Sequence, residues 1–372
     1  MRKLLLTLIP LILMHVAIGQ TGQRTPILRA FTPKIQTINH KLGDRILQIK
    51  TYQYGSKSNV VYVNLHDDEV TAIHGAKKQL ERKPGLLIKI ENNKSRNIRF
   101  RMDGQYYTFD PNRIFSRSGI TQTLTMYGRV SPKAINEVEK FANQLLQLIP
   151  KEVYCIIALH NNTNGKYSVN SYLPGNIREK DARGLYVNPE EDPDDIFLTT
   201  DSLLFSLLAE DQYNVILQDN ARAKRDGSLS IYCGERNIRY LNCETEHGRD
   251  LQYQQMIMIA AGHIDSTMRR ADVIAYNYKL VPNTTGLSPK TNTEIMFGEK
   301  KVGLIRSVTT DSSWATIGKL EVNKDFPLYS NMEVLFFPSN PQSSRFEVRI
   351  DPTRERELLD PTTTTVNIRA VK

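Results

Sequence analysis

Residues 59–69 read Asn-Val-Val-Tyr-Val-Asn-Leu-His-Asp-Asp-Glu, and this stretch decides the fold. Its first half is rich in β-branched residues and is typical of a buried strand. Its second half is polar, and Asp67 or Asp68 can cap a helix that we predict to run to about Arg82. A buried strand that passes directly into a helix is characteristic of α/β proteins.

The same alternation continues outward along the chain. We predict further strands near residues 45–52, 86–90, 153–159, 213–218, 229–232 and 238–243, a hairpin over 98–109, and helices between Ser131 and Pro150, over 202–209 and over 251–269. Strands that alternate with helices predict an α/β domain over residues 56–270, with a mixed, mostly parallel sheet covered by helices on both faces.

Both ends of the chain differ from this central region. Residues 20–55 are polar and mixed, and we expect an extended lead-in there. After residue 271, short strands at 301–307, 315–322 and 346–350 are separated by Asn, Pro and Ser clusters. This texture predicts a small all-β domain over residues 271–372.

The first 19 residues have the features of a cleavable signal peptide. Residues 1–3 carry two positive charges, residues 4–18 are apolar, and small residues close the run, so we expect cleavage before Gln20. The apolar run is shorter than the ~20 residues that span a bilayer. We therefore expect a periplasmic or secreted protein with no stable membrane insertion after signal cleavage.

Composition excludes several classes of protein. The net charge is +9, but the Lys and Arg residues are scattered, without a dense tract or interleaved aromatics, so we expect no nucleic-acid partner. Three cysteines are too few for a disulfide scaffold, and they are expected to be small buried side chains. The sequence contains neither a glycine-rich phosphate loop nor a Gly-x-Ser-x-Gly elbow, so it does not support a nucleotide-binding enzyme or a serine hydrolase.

Three of the predicted strands end on polar side chains that can do chemistry. The first leads into His66 and Glu69, the second into His160, and the third into Glu244. Ligands of open α/β sheets bind beyond the carboxyl ends of the strands. Catalytic zinc takes nitrogen and oxygen ligands and keeps one position for water. We therefore predict that His66, Glu69 and His160 bind Zn²⁺.

A zinc hydrolase also needs a general base that removes a proton from the attacking water. Glu244 ends the strand 238–243 and is our candidate for this role. Glu246 lies two residues further on and would share a strand face with Glu244 if the strand continued, so it stays open as the alternative.

The order of these residues resembles the zinc carboxypeptidase superfamily over roughly residues 55–270. His66-x-x-Glu69, a later His160 and a strand-ending Glu follow the pattern of that superfamily, and Asp110-Pro-Asn112-Arg113 looks like the Asp-x-Asn-Arg motif of its succinylglutamate desuccinylase and aspartoacylase branch. The resemblance implies that Arg113 grips a substrate carboxylate, with Asn112 as a neighbouring donor. It also implies a zinc-carboxypeptidase-like fold.

This resemblance implies a hydrolase of an amide or peptide bond next to a free carboxylate. The expected export would bring such an enzyme to cell-wall or scavenged peptides. The first alternative is an N-acyl-amino-acid deacylase or amidase, and the second is a catalytically silent envelope binding protein. A general base beside the metal ligands argues against the silent protein. The family's substrate-contacting tyrosine has three candidates here, Tyr167, Tyr172 and Tyr232.

Overall fold

A computed structural model describes residues 30–271, 273–281, 289–312, 315–338 and 345–371. The signal peptide predicted at residues 1–19 lies outside the described residues. No helix among the described residues is long and apolar enough to cross a membrane.

A nine-stranded mixed sheet forms the centre of the large domain. In spatial order its strands are β1 (Lys34–Leu42), β2 (Arg45–Tyr54), β4 (Gly85–Glu91), β3 (Val60–Asn64), β7 (Cys155–Asn162), β11 (Tyr240–Glu246), β9 (Ile196–Thr199), β10 (Asn214–Gln218) and β8 (Ala182–Tyr186). The four central strands β4, β3, β7 and β11 run parallel to one another. This arrangement confirms the predicted mixed α/β sheet.

Most of the described part of the expected lead-in, from residue 34 onward, forms two strands. Strands β1 and β2 form an antiparallel hairpin, and β2 pairs along its length with β4. From residue 34 onward this segment therefore belongs to the sheet itself.

Helices cover both faces of the sheet, as predicted. Helices α1 (Val70–Leu80), α4 (Ser202–Glu210) and α6 (Asp250–Ala271) pack on the face that bears Cys155, Ile157 and Leu159. Helices α2 (Arg117–Met126), α3 (Pro132–Gln147) and α5 (Leu229–Glu235) pack on the face that bears Ile156 and Ala158. Neighbouring residues of β7 thus belong to two separate hydrophobic cores, because the side chains of a strand alternate between the two faces of the sheet.

Residues 229–232, which we expected to form a strand, belong to helix α5 instead. Leu229, Ile231 and Cys233 are buried, and this spacing of two residues between buried side chains is also the pattern of a strand. The sheet leaves no place for another strand beside β11, because β7 and β9 pair with its two edges. The apolar segment therefore forms a short helix that packs on the sheet.

The C-terminal region is a closed seven-stranded barrel, which confirms the predicted small all-β domain. Around the barrel the strands are β12 (Val273–Val281), β15 (Thr316–Asn323), β14 (Lys300–Thr310), β13 (Glu294–Phe297), β17 (Arg345–Ile350), β16 (Met332–Phe337) and β18 (Thr365–Ala370). Its core of buried aromatic and aliphatic side chains includes Tyr276, Tyr278 and Phe336 and is separate from the two cores of the large sheet.

The contact between α1 and α6 gives a test of this packing. A Cβ atom at Gly75 would lie 2.5 Å from the ring of Tyr253, which is fully buried and donates a hydrogen bond to the carbonyl of Cys243. We expect Gly75→Ala to lower the free energy of unfolding by about 1–3 kcal/mol, because the ring has no room to move. Chemical denaturation measures this change.

Gly262 in α6 provides the matched control, since a Cβ there meets nothing within 4 Å. Gly262→Ala is expected to raise stability by roughly 0.5–1 kcal/mol, because alanine loses less backbone entropy in a helix. Equal effects of the two substitutions would contradict the described packing of α1 on α6.

Candidate metal centre

The parallel strands β3, β7 and β11 bring the predicted site residues to one edge of the sheet. Val63 lies opposite Ala158 in the first ladder, and Glu244 lies opposite His160 in the second. His66 comes two residues after the end of β3, so it reaches the same edge. Three segments that are distant in the sequence thus meet because their strands share a direction and a register.

His66, Glu69 and His160 form one compact cluster. Nδ1 of His66 lies 2.9 Å from Oε1 of Glu69, and Nδ1 of His160 lies 2.9 Å from Oε2 of the same carboxylate. One potential ligand atom from each residue lies within 4.8 Å of the others, and all three residues are buried. Within the described part of the chain, no other group of three His, Cys, Asp or Glu side chains meets this spacing.

Asp110 orients the first histidine. Its Oδ1 lies 2.8 Å from Nε2 of His66 and also accepts a hydrogen bond from the backbone N–H of Asn112. When Nε2 of His66 donates to this carboxylate, the lone pair of Nδ1 is directed at the cluster, and such carboxylates also make the imidazole a stronger ligand. Asp110 belongs to the sequence motif Asp110-Pro-Asn112-Arg113, but no role for its carboxylate was predicted.

Asn112 contacts the second histidine. Its Nδ2 lies 3.4 Å from Nε2 of His160, while its Oδ1 accepts a hydrogen bond from the backbone N–H of Leu229 at the start of α5. The residue was expected to be a substrate donor. The structure places Asn112 both in the lining of the cavity described below and against His160, which it connects to helix α5, so its role as a donor to substrate stays a prediction.

Opposite charges control protonation inside this buried cluster. Burial alone would lower the pKa of His66, but the charges of Glu69 and Asp110 outweigh it and raise the pKa to about 9. Burial would raise the pKa of Glu69, yet the facing His66 and His160 hold it well below its usual range. The carboxylates are therefore ionised and attract positive charge, which either protons or a divalent cation can supply.

Arg96 is a site residue that sequence analysis missed. It precedes the β5 (Ile98–Met102) and β6 (Gln105–Phe109) hairpin, and its Nη1 lies 2.7 Å from Oε1 of Glu69. Its neighbours form a polar loop without a recognisable motif, so only the fold brings it to the cluster. The same loop holds the turn that carries His66 and Glu69, because the backbone N–H groups of Asn92 and Lys94 donate to Asp67.

Asp67 and Asp68 do not act as the side-chain cap that we expected for α1. Glu69 occupies the capping position, and no side chain makes a capping hydrogen bond there. The carboxylate of Asp67 is used elsewhere, since it pairs with Lys89 of β4 and accepts the two loop N–H groups. The turn is held by these tertiary contacts instead of a local cap.

Glu244 lies beside the cluster in an environment that suits proton transfer. Burial, together with the charge of Glu69, raises the pKa of Glu244 to about 8. Its Oε2 is buried and has no hydrogen-bond partner among the residues that the structure describes. Glu244 lines the cavity in front of the cluster, whereas Glu246, the alternative base, does not.

A cavity of about 1120 Å³ opens over the cluster. Arg113 lines it, with Nη1 donating to the carbonyl of Asn112 and Nε 3.5 Å from a carboxylate oxygen of Asp226. Of the three candidate tyrosines, Tyr167 and Tyr172 line the cavity. Tyr232 lies outside this lining and packs against the ring of Phe115 and the guanidinium of Arg236.

No model of a known protein family matches the chain, and a comparison with curated protein sequences finds no match. Solved structures do show similarity. A murein-tripeptide amidase from Escherichia coli O157 is 12% identical, with a TM-score of 0.36, over 65% of this chain and 96% of that one. An aspartoacylase family protein from Mesorhizobium loti is 12% identical, with a TM-score of 0.36, over 82% of this chain and 90% of that one.

A third similar structure is bovine thrombin-activatable fibrinolysis inhibitor in complex with tick carboxypeptidase inhibitor. It is 12% identical, with a TM-score of 0.39, over 64% of this chain and 91% of that one. All three similarities are remote, at 12% identity and TM-scores of 0.36 to 0.39. At this level of similarity, the chemistry of the site follows from its own residues.

The protonation of His66 gives a test of the ligand set. A histidine must be neutral to bind a metal, and the pKa of about 9 means that His66 of chelator-treated protein carries a proton at pH 7. Metal binding should therefore release a proton from His66, in addition to any released from the neighbouring Glu244, and the affinity should rise by at least about tenfold per pH unit from pH 7 until the pKa of His66 is reached. Calorimetric titration with zinc, in two buffers of different ionisation enthalpy, measures both quantities.

Asp110→Asn is the matched variant, because it keeps the shape of the side chain and removes the charge next to His66. We expect it to lower the pKa of His66, so that fewer protons are released at pH 7. A zinc affinity that does not change with pH in the unmodified protein would contradict His66 as a ligand.

Proposed function

We propose that this protein is a zinc-dependent hydrolase that cleaves an amide or peptide bond beside a free carboxylate of its substrate. One observation carries the proposal. Two members of the cluster of His66, Glu69 and His160, namely Glu69 and His160, line the same cavity as Glu244, a buried carboxylate that has an oxygen without a partner among the described residues. A site built only for binding would not need a base at that position.

The donor set fits zinc. Two imidazole nitrogens and one carboxylate are the ligands of zinc-peptidase sites, and they leave a fourth tetrahedral position for water or substrate. Zinc supplies such a site with a polarised carbonyl and a bound water of lowered pKa. His66, Glu69 and His160 would hold the ion, and Asp110 would keep His66 in the tautomer that binds through Nδ1.

Glu244 is proposed as the group that moves the proton. A general base works best when its pKa lies near the operating pH, and the pKa of Glu244 is raised to about 8. The carboxylate would take a proton from the attacking water and pass it to the leaving amine. Bound zinc would lower this pKa again, since a nearby positive charge favours the ionised form.

Arg96 is proposed to stabilise the charge that develops on the carbonyl oxygen. Its guanidinium already reaches the cluster through Glu69, while 47% of its side chain stays exposed. N–H donors that are fixed before the reaction lower the energy of such an oxyanion.

Arg113 is proposed to bind the free carboxylate of the substrate. Contacts with Asn112 and Asp226 fix the plane of its guanidinium, and Nη2 has no hydrogen-bond partner among the described residues. A fixed guanidinium can meet a carboxylate with two parallel hydrogen bonds. This contact would serve both a peptidase and an N-acyl-amino-acid deacylase. We also propose that residues 1–19 direct export of the protein.

The role of Glu244 gives the direct activity test. Glu244→Gln should lower kcat by about 10²–10⁴-fold, because the amide cannot accept the proton, while bound zinc stays at one equivalent. Glu246→Gln is the matched control and should keep near-normal activity, since Glu246 does not line the cavity. The assay uses a panel of peptides and N-acyl amino acids with free carboxylates. Near-normal turnover by Glu244→Gln would remove Glu244 from the mechanism.

The role of Arg113 gives a second test. Arg113→Gln should raise KM for a substrate with a free carboxylate by about 10- to 100-fold, because a charge-assisted bidentate contact is lost. The same variant should act on the carboxamide form of that substrate about as well as the unmodified enzyme does. Steady-state kinetics on the two forms measures this difference. An equal loss of activity on both forms of the substrate would show that Arg113 does not recognise the carboxylate.

A further inference from the structure

A second cavity, of about 660 Å³, adjoins the turn that carries His66 and Glu69. Its lining comes from β2, β4, the first residues of α1 and the loop after β4, and it includes Asp67 of that turn. No residue lines both this cavity and the one over the metal cluster. The mechanism proposed above therefore gives the second cavity no role.

Both carboxylates of this lining are already engaged by one buried lysine. The ammonium group of Lys89 contacts the carboxylate of Asp67 and lies 3.1 Å from Oε2 of Glu91. Lys89 itself is buried. The two other cations of the lining, Arg45 and Lys94, therefore share the cavity with carboxylates whose charge is largely offset.

Arg45 and Lys94 keep donors that a ligand can use. Nη1 of Arg45 donates to the carbonyl of Arg99 at 3.1 Å, and the guanidinium has no ion pair with any described residue. The backbone N–H of Lys94 donates to Asp67, but its ammonium group has neither an ion pair nor a hydrogen bond within the described ranges. A guanidinium has five N–H donors and an ammonium group has three, so most of these donors are available.

The sheet beside the cavity concentrates further positive charge. Lys50 of β2 lies directly opposite Lys89 of β4, and Glu91 is shared between them, with Oε1 3.4 Å from Lys50 and Oε2 3.1 Å from Lys89. Like charges directly opposite each other destabilise a sheet. Burial and the charge of Lys89 also lower the pKa of Lys77 on α1. The three cations of the lining and these two adjoining lysines thus outnumber the two carboxylates of the lining.

We propose that the second cavity binds a phosphate group, with Arg45 and Lys94 as its donors. A phosphate monoester carries a charge of about −1.5 to −2 at pH 7 and three strong acceptor oxygens, which matches an excess of cations that approach from separate elements. The guanidinium can meet two of these oxygens in parallel, and the ammonium group acts as a point charge. A bound phosphate also offsets the repulsion between Lys50 and Lys89.

The remaining lining leaves room for an organic part of the ligand. Ile46, Val70 and Ile73 form an apolar portion of the wall, and the volume exceeds that of a phosphate ion. The ligand is therefore either free phosphate or a small phosphate ester. This site goes beyond the proposed hydrolase activity and does not depend on it.

Calorimetric titration of the zinc-loaded protein tests the inference by binding alone. The probes are inorganic phosphate, glycerol 3-phosphate and malonate, a dicarboxylate of similar charge, all at one ionic strength set with sodium chloride. We expect saturable binding of phosphate or its ester and weaker binding of malonate. Glycerol 3-phosphate that binds at least as tightly as phosphate indicates an ester as the ligand, and weaker binding of the ester indicates free phosphate.

Variants assign the binding to the second cavity. Arg45→Gln should weaken phosphate binding roughly tenfold, and the double variant with Lys94→Gln should remove saturable binding. Arg45→Lys should restore part of the affinity, because the charge returns without the planar fork. The matched control combines Arg129→Gln with Lys151→Gln, two exposed cations that line neither cavity, and it should bind as the unmodified protein does. Thermal unfolding shows that each variant is folded.

A further variant separates the two cavities. Arg113→Gln removes a cation from the cavity over the metal cluster and leaves the second cavity unchanged. We expect it to bind phosphate with the affinity of the unmodified protein.

The inference is overturned if neither phosphate nor its ester binds, if malonate binds more tightly than both, or if the double variant of Arg45 and Lys94 binds as the unmodified protein does. Binding that is lost in Arg113→Gln and kept in the double variant would assign the phosphate to the metal cavity and overturn it as well. These titrations involve no turnover, so their outcome is independent of whether the enzyme hydrolyses any substrate of the panel.

Discussion

The parallel pairing of β3, β7 and β11 is the constraint on which the site depends. Because these strands share a direction, their carboxyl ends meet at one edge of the sheet. The pairing of Glu244 with His160 then fixes the distance between the proposed base and a proposed ligand. A shift of one residue in this ladder would turn Glu244 toward the opposite face and leave the cavity without its base.

Burying so much charge is costly, and the site offsets this cost by pairing. Each oxygen of Glu69 faces an imidazole nitrogen, and Asp110 faces the outer nitrogen of His66. Removing one member would leave an uncompensated buried charge, which destabilises a protein far more than an exposed pair does. Glu244 is the exception, and its raised pKa is the direct consequence of burial beside another carboxylate. A pKa that is shifted by burial and a neighbouring charge is typical of groups that transfer protons.

The sequence predicted the parts of this site that depend on local pattern. Apolar strands that end on His66, His160 and Glu244 could be identified residue by residue, because strand ends and helix starts leave periodic signals. Arg96 and the network of Asp67 could not, since loop geometry and tertiary contacts place them. The helix α5 was mistaken for a strand because its burial alternates, and only the occupied edges of β11 exclude a strand there.

Zinc content tests the central claim most directly. Purified protein that is loaded with zinc and dialysed should contain one equivalent by elemental analysis, and Glu69→Ala should contain almost none, because the carboxylate bridges both histidines. The matched variant Glu246→Ala should keep the full equivalent, since that residue lies outside the cavity. Zinc retained by Glu69→Ala, or absent from the unmodified protein, would contradict the account.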